Sequence, residues 1–150
     1  MAIIDNLTRI YNRMYLNEAL HKEVEHAKRY KKPLAIIIMD IDDFKQYNDN
    51  FGHLQGDVVL KQIANTLSKH LRGTDILARF GGDEFIVILP ETDQEGLQTV
   101  AEKLGKAIRA QTFHGESVGV SIGTASFQPE WSSTQLVEQA DRDMYQRKAR

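Results

Sequence analysis

Residues 34–39 read LAIIIM, with no polar side chain among them, and Pro33 stands immediately before. A continuous apolar run of this length is a central strand buried on both faces, since a strand with one wet face would alternate. Such a strand needs helices packed over it. They are visible on either side. Leu16, Leu20, Val24 and Ala27 recur at helical spacing, which predicts a helix over 12–31 that Pro33 stops. After the run, Asp40-Ile41-Asp42-Asp43 ends the strand, and a short polar helix follows over 43–50, closed by Gly52. Leu60, Ile63, Ala64, Leu67 and Leu71 mark the next helix, from about Gly56. Residues 76–80 and 84–89 read as strands, and Pro90 closes the second. Gly81-Gly82 between them permits a tight hairpin, because glycine tolerates positive φ. Leu97, Val100, Leu104 and Ile108 mark a helix over 93–111, residues 118–127 a strand, and Leu136, Val137, Ala140 and Met144 a last helix. Strands and helices alternate, but one strand pair is a hairpin. That predicts an α/β or α+β domain with a mixed sheet.

Composition narrows what such a domain can do. The chain has 150 residues, enough for one domain with a real core. Nineteen basic residues face 21 acidic ones, a net charge of −2. That balance gives no bulk electrostatic footprint for a nucleic-acid polymer, so any nucleotide must be held by a local site. Cysteine is absent, which excludes disulfides and thiolate metal sites. No apolar run reaches the roughly 20 residues of a membrane span, so no membrane contact is expected from this segment.

Two acidic clusters sit at strand ends. Asp40, Asp42 and Asp43 lie where the buried strand meets a loop, and Asp83 and Glu84 lie at the tip of the expected hairpin. If the two strands are neighbours, Asp40 and the Asp83-Glu84 pair converge. Carboxylates without His or Cys nearby suit a hard cation such as Mg²⁺, which also holds substrate phosphates. Acidic residues at strand ends are also often no more than solvated, and position alone leaves both readings open.

The string Gly81-Gly82-Asp83-Glu84-Phe85 resembles the GGDEF motif of diguanylate cyclases, and further segments agree in register. Asp5-Asn6-Leu7-Thr8 resembles the D-x-L-T opening of these domains, with Asn12-Arg13 following. Asp40-Ile41-Asp42-Asp43-Phe44-Lys45 is similar to D-I-D-x-F-K. Asn48-Asp49, Gly52-His53, Gly56-Asp57, Ala78-Arg79-Phe80, Val120-Ser121-Ile122-Gly123 and Ala140-Asp141 with Tyr145 and Lys148 complete the pattern over the whole chain. The resemblance implies a nucleotidyl cyclase or polymerase palm-like fold, a mostly antiparallel central sheet wrapped by helices. It implies one GGDEF domain over 1–150, excised from a longer, cytoplasmic signalling protein whose membrane anchor, if any, lies in other segments.

The implied activity is condensation of two GTP molecules to cyclic di-GMP and two pyrophosphates at a homodimer interface, with Mg²⁺ or Mn²⁺ as cofactor. By the family pattern, Asp40 and the backbone carbonyl of Ile41 are metal ligands. Asp83 and Glu84 supply the remaining carboxylate and the candidate base, with Glu84 favoured as the essential one. Lys45 and Lys148 match positions on the triphosphate, and Phe44 and His53 positions lining the pocket. Arg79, Gly81 and Gly82 flank the substrate, the glycines letting backbone approach the phosphates. Asn48 and Asp57 match positions that read guanine, whose N1–H and N2–H₂ donors a carboxylate or amide can meet. Without the family, Asp57 would be read as a helix N-cap near Gly56. Arg72-Gly73-Thr74-Asp75 matches the R-x-x-D inhibitory site, where Arg72 and Asp75 bind the product cyclic di-GMP. The alternative is an inactive domain that binds GTP or cyclic di-GMP as a regulatory module.

Three departures stand out. Arg9 occupies a position that is usually glycine, and Asp143 one that is usually small and apolar. The chain ends at Arg150, before the family's G-R-N tail and its phosphate-contacting arginine.

Overall fold

The computed structural model describes residues 2–148. Its centre is the apolar run, strand β1 (Leu34–Ile41). The other strands of the main sheet are β2 (Ile76–Arg79), β3 (Glu84–Pro90) and β6 (Val120–Ser126). They are arranged β2-β3-β1-β6, with every pair antiparallel. The mixed sheet expected from alternation is therefore corrected to an antiparallel one. β1 has a hydrogen-bonded neighbour on each edge, so its backbone as well as its side chains are enclosed.

Side chains of a strand alternate between faces, and each face of β1 has its own cover. Ala35, Ile37, Met39 and Ile41 join a core with helices α3 (His53–Lys69) and α4 (Gln94–Arg109). Leu34, Ile36 and Ile38 join a second core with α1 (Arg13–Tyr30) and α5 (Ser133–Lys148). The result is α+β, helices on both faces of one sheet. α1 starts as predicted: the Asn12 side chain accepts from the Tyr15 N–H at 3.0 Å, and Lys31 ends the helix in the left-handed region. On the other face, Gly123 in β6 lies so close to the Ala140 carbonyl and Met144 of α5 that a side chain there would collide.

A short helix, α2 (Phe44–Phe51), follows β1. Gly52, at φ 90°, turns the chain directly into α3. α3 therefore begins three residues earlier than its apolar pattern suggests, because His53, Leu54 and Gln55 complete a first turn that lies outside the buried stripe.

A hairpin that the sequence reading missed lies between α4 and β6. Its strands are β4 (Thr112–Phe113) and β5 (Glu116–Ser117). Phe113 pairs with Glu116 across the two-residue loop His114-Gly115. Both loop residues have positive φ, 51° and 75°, the requirement of a type I′ turn. Phe113 and Val118 are buried in the α3/α4 core and anchor the hairpin.

Both sheet edges are partly closed. Along β2, the Tyr11 N–H donates to the Leu77 carbonyl (3.3 Å), and the Arg79 N–H to the Tyr11 carbonyl (2.9 Å). Along β6, the Asp143 carboxylate accepts from the Thr124 N–H at 2.8 Å and from Arg147 Nε at 2.9 Å. The unusual Asp143 thus occupies a backbone donor that would otherwise face outward from an edge strand.

Candidate active site

Ladder register brings the two acidic clusters together. Asp40 stands directly opposite Glu84 on β3 and opposite Ser121 on β6. The Ile41 N–H donates to the Asp83 carbonyl at 3.2 Å, so Asp83 extends the same ladder. Like charges opposite one another on a sheet repel. Burial raises the Asp83 and Glu84 carboxyls above the ordinary range, and the charge of Asp40 raises both further. Asp141 on α5 adds to the effect on Glu84, which Arg13 partly offsets. Asp141 is itself raised by burial, and the sequence reading had given it no role. Lys148, at the end of α5, places Nζ 3.0 Å from Asp40 Oδ2, and this hydrogen bond raises its own pKa.

The turn joining β2 to β3 is built differently from the sequence expectation. Gly81 and Gly82 are both outside the positive-φ region. The turn is instead closed by the Phe80 N–H on the Glu84 carbonyl at 2.8 Å. Gly81 matters for space: a Cβ there would lie 2.8 Å from Glu84 Oε1, so glycine lets the catalytic candidate fold over the turn. Gly82 has open space around its Cα, and its carbonyl accepts from Arg79 Nε at 3.1 Å and Nη2 at 2.8 Å. Arg79 also pairs with Asp5 at 3.4 Å, and Asp5 in turn accepts from the Thr8 N–H and hydroxyl. The guanidinium thereby ties the acidic turn to the N-terminal segment. Arg13 stacks over the Phe80 ring, 4.1 Å from its centroid. The Asp42 carboxylate accepts from the Ser121 hydroxyl, fastening the end of β1 to β6.

The remaining pocket residues lie on α2 and the start of α3. Phe44 packs against the core, Lys45 is exposed, and His53 is exposed at the first turn of α3. Asn48 Oδ1 is buried without a hydrogen-bond partner, seated against Gly56, where any Cβ would strike it. Asp57 is half-buried in the second turn of α3, whose N-cap is Gly52. The capping role open to Asp57 in the sequence is thereby excluded.

Arg72 and Asp75 form a separate cluster. Asp75 has a side chain only 2% exposed and accepts from Arg72 Nη2 at 2.7 Å and from the Arg72 N–H at 2.8 Å. Arg72 Nη2 also donates to the Pro90 carbonyl and the Thr92 hydroxyl, both at 2.9 Å. The pair pins the loop after α3 to the end of β3. It borders a groove lined also by His70, Glu95 and Lys103.

Among the described residues, no three His, Cys, Asp or Glu side chains form a metal cage on their own. The donor set nonetheless fits Mg²⁺, which is commonly held by one or two carboxylates with phosphates and water completing the shell. Asp40 and Glu84 are such carboxylates. The Lys148 ammonium on Asp40 shows that this end of the sheet already accepts a cation. No helix among the described residues is long and apolar enough to cross a membrane.

Residues 2–150 match the family model described as diguanylate cyclase, GGDEF domain. The chain is 44% identical over 151 residues to the diguanylate cyclase DgcP of Pseudomonas aeruginosa, a match covering 98% of this chain and 22% of that protein. It spans about a third of the Escherichia coli diguanylate cyclase DosC, to which it is 33% identical. Among solved structures, the GGDEF domain of DgcB from Caulobacter crescentus, in complex with c-di-GMP, superposes with a TM-score of 0.95 at 28% identity. That alignment covers 99% of this chain and 89% of the other. With a family model spanning nearly every residue and a solved GGDEF domain superposing over nearly the whole chain, the chain belongs to the GGDEF domain family.

Proposed function

We propose that this chain is the catalytic domain of a diguanylate cyclase and condenses two GTP molecules into cyclic di-GMP. The observation that carries the proposal is the pairing of Asp40 with Glu84 across adjacent strands, with Asp83 beside them and Lys148 closing the end. In the reaction the 3′-hydroxyl of each nucleotide attacks the α-phosphorus of the other. Each attack forms a P–O bond and releases pyrophosphate with its bonding electron pair, and the hydroxyl proton leaves to a base.

Asp40, the Ile41 carbonyl and Glu84, with Asp83 adjacent, would hold the divalent cation. That cation neutralises phosphate charge and makes the attacking hydroxyl more acidic. Glu84 folds over Gly81 and is partly withdrawn from water, the setting of a carboxylate that accepts a proton. Lys148 and Lys45 offset triphosphate charge. Asn48, whose unpaired carbonyl oxygen now lies against Gly56, and Asp57 would supply the acceptors that meet the donors of guanine. Arg79 fixes the acidic turn from behind. One domain positions one GTP, so the full reaction needs two copies facing each other. Arg72 and Asp75, already joined in a fork, offer guanidinium donors to the phosphates and guanines of the product as an inhibitory site.

Incubating the chain with GTP and Mg²⁺, followed by mass spectrometry of the products, tests the proposal. Cyclic di-GMP from the wild type, and none from Glu84→Gln, is the expected result. GTP binding without product, even after the chains are artificially dimerised, would replace the enzyme by a regulatory binding module.

A further inference from the structure

α2 is poorly equipped to stand alone. It has eight residues and no fully buried side chain, and its N-cap, Asp43, makes no side-chain capping bond. Isolated helices of this length are unstable in water. It is also bracketed by two residues of positive φ, Asp43 at 54° and Gly52 at 90°, so neither neighbouring element continues it. Yet α2 carries Lys45 and Asn48, whose placement the proposed nucleotide pocket depends on.

α3 and the packing of Phe44 and Tyr47 on the core hold α2 along one side, and the β4–β5 hairpin adds support at its C-terminal end. Its I′ turn places His114 over the last residue of α2: the His114 and Phe51 rings lie 4.9 Å apart and 8° from parallel. Phe51 in turn packs on Tyr47 at 4.8 Å, one turn back along α2. Tyr47 and Glu116 of the hairpin line one groove between the two elements, and burial and then the charge of Glu116 raise the pKa of the Tyr47 hydroxyl. Asn48 lies between Tyr47 and Phe51 in sequence, with its side chain on Gly56 of α3. Phe113 and Val118 root the hairpin in the core.

We infer that His114 is a positioning residue for nucleotide recognition: its ring, held in the I′ turn, clamps Phe51 and so sets the orientation of α2 and Asn48 in the pocket. The inference rests on the reading of that pocket as a GTP site. It adds a determinant of base selectivity that itself touches no substrate.

Two substitutions separate the ring from the turn. His114→Asn keeps a residue that tolerates positive φ but removes the stack. His114→Phe keeps the ring. Binding of GTP and of ITP, which lacks the 2-amino group of guanine, is measured calorimetrically with Ca²⁺ in place of Mg²⁺ to prevent turnover. An aromatic stack of ordinary strength predicts that His114→Asn weakens GTP binding by about three- to ten-fold and lowers the GTP-to-ITP preference. His114→Phe should restore both, and circular dichroism should show both variants folded. A wild type that binds no GTP overturns the pocket reading itself. If the wild type binds GTP, then His114→Asn binding and discriminating as the wild type does overturns the clamp. So does equal impairment of both variants, which would assign the effect to the turn.

Discussion

Glu84→Gln removes one negative charge from a place where the fold has gathered four carboxylates, and it should make the chain more stable as it abolishes activity. The side chain at 84 faces Asp40 across the ladder, and Asp83 and Asp141 act on it from beside and above. Burial first, and then the like charge of Asp40 opposite, disfavour ionised Glu84, and a cross-strand charge pair is worth roughly 0.2–1 kcal/mol in either sense. The two further carboxylates add to this, and solvent screening of a partly exposed site trims every contribution. The net expectation is about 1 kcal/mol, worth roughly 2–4 °C in Tm for a chain of this size. The assay is thermal unfolding in chelator, with wild type and variant compared as pH is varied. Glu84 is raised above its ordinary value of 4.5, so its ionised form is disfavoured in the folded state. Below the unfolded value the carboxyl is protonated in both states and the penalty vanishes. The penalty grows as pH rises through the window above 4.5 and is complete beyond the folded pKa. The advantage of the variant should therefore be largest near neutrality and fade in acid. A variant that melts at or below the wild type near neutral pH refutes the reasoning, as does an advantage that persists unchanged in acid.

Two further substitutions follow from the backbone. Arg9 sits at φ 64°, a conformation that costs a residue with a side chain roughly 1–2 kcal/mol. Glycine avoids that cost but loses more freedom on folding, so Arg9→Gly should raise stability by about 0.5 kcal/mol in denaturant unfolding. A fall in the midpoint would contradict this. Gly56→Ala would put a Cβ 2.9 Å from Asn48 Cγ and 3.2 Å from Phe44 Cζ. Asn48 must then leave its seat, and affinity for a non-hydrolysable GTP analogue should fall about ten-fold, the loss of a hydrogen bond of ordinary strength. Unchanged affinity would remove Asn48 from the pocket.

The parts of the fold that were legible in the sequence are those set by local pattern. LAIIIM identified the central strand because burial on both faces leaves no alternation, and the Asn12 cap and Lys31 exit frame the first helix as its periodicity implied. The start of α3 was misplaced because its first turn is largely exposed, Leu54 included, and does not join the buried stripe that begins at Gly56. The β4–β5 hairpin was missed because its strands have two residues each, although His114-Gly115 carries a turn signal: glycine, and a histidine that tolerates positive φ. At the site, the convergence of Asp40 and Glu84 was foreseeable only on the condition that their strands are neighbours, which no local pattern states. Asp141 and the Arg79–Asp5 tie depend on contacts between distant segments. Glycine at 81 was read for backbone freedom and for close approach to phosphates, whereas the structure shows the room it leaves for Glu84. Asp143, without an explanation in the sequence, acquired one only when β6 proved to be an outer strand.

That last contact bears on how copies of the chain can meet. Tyr11 lies along one rim of the sheet and Asp143 occupies a donor on the other, so neither rim offers an uninterrupted row of groups to another strand. Two copies are thus discouraged from joining into one continuous sheet, the route by which β-rich domains most readily aggregate. An encounter between them is left to loops and helix faces. The end where Asp40, Glu84 and Lys148 gather is such a surface, and the proposed reaction would bring two copies together there without unpairing any backbone.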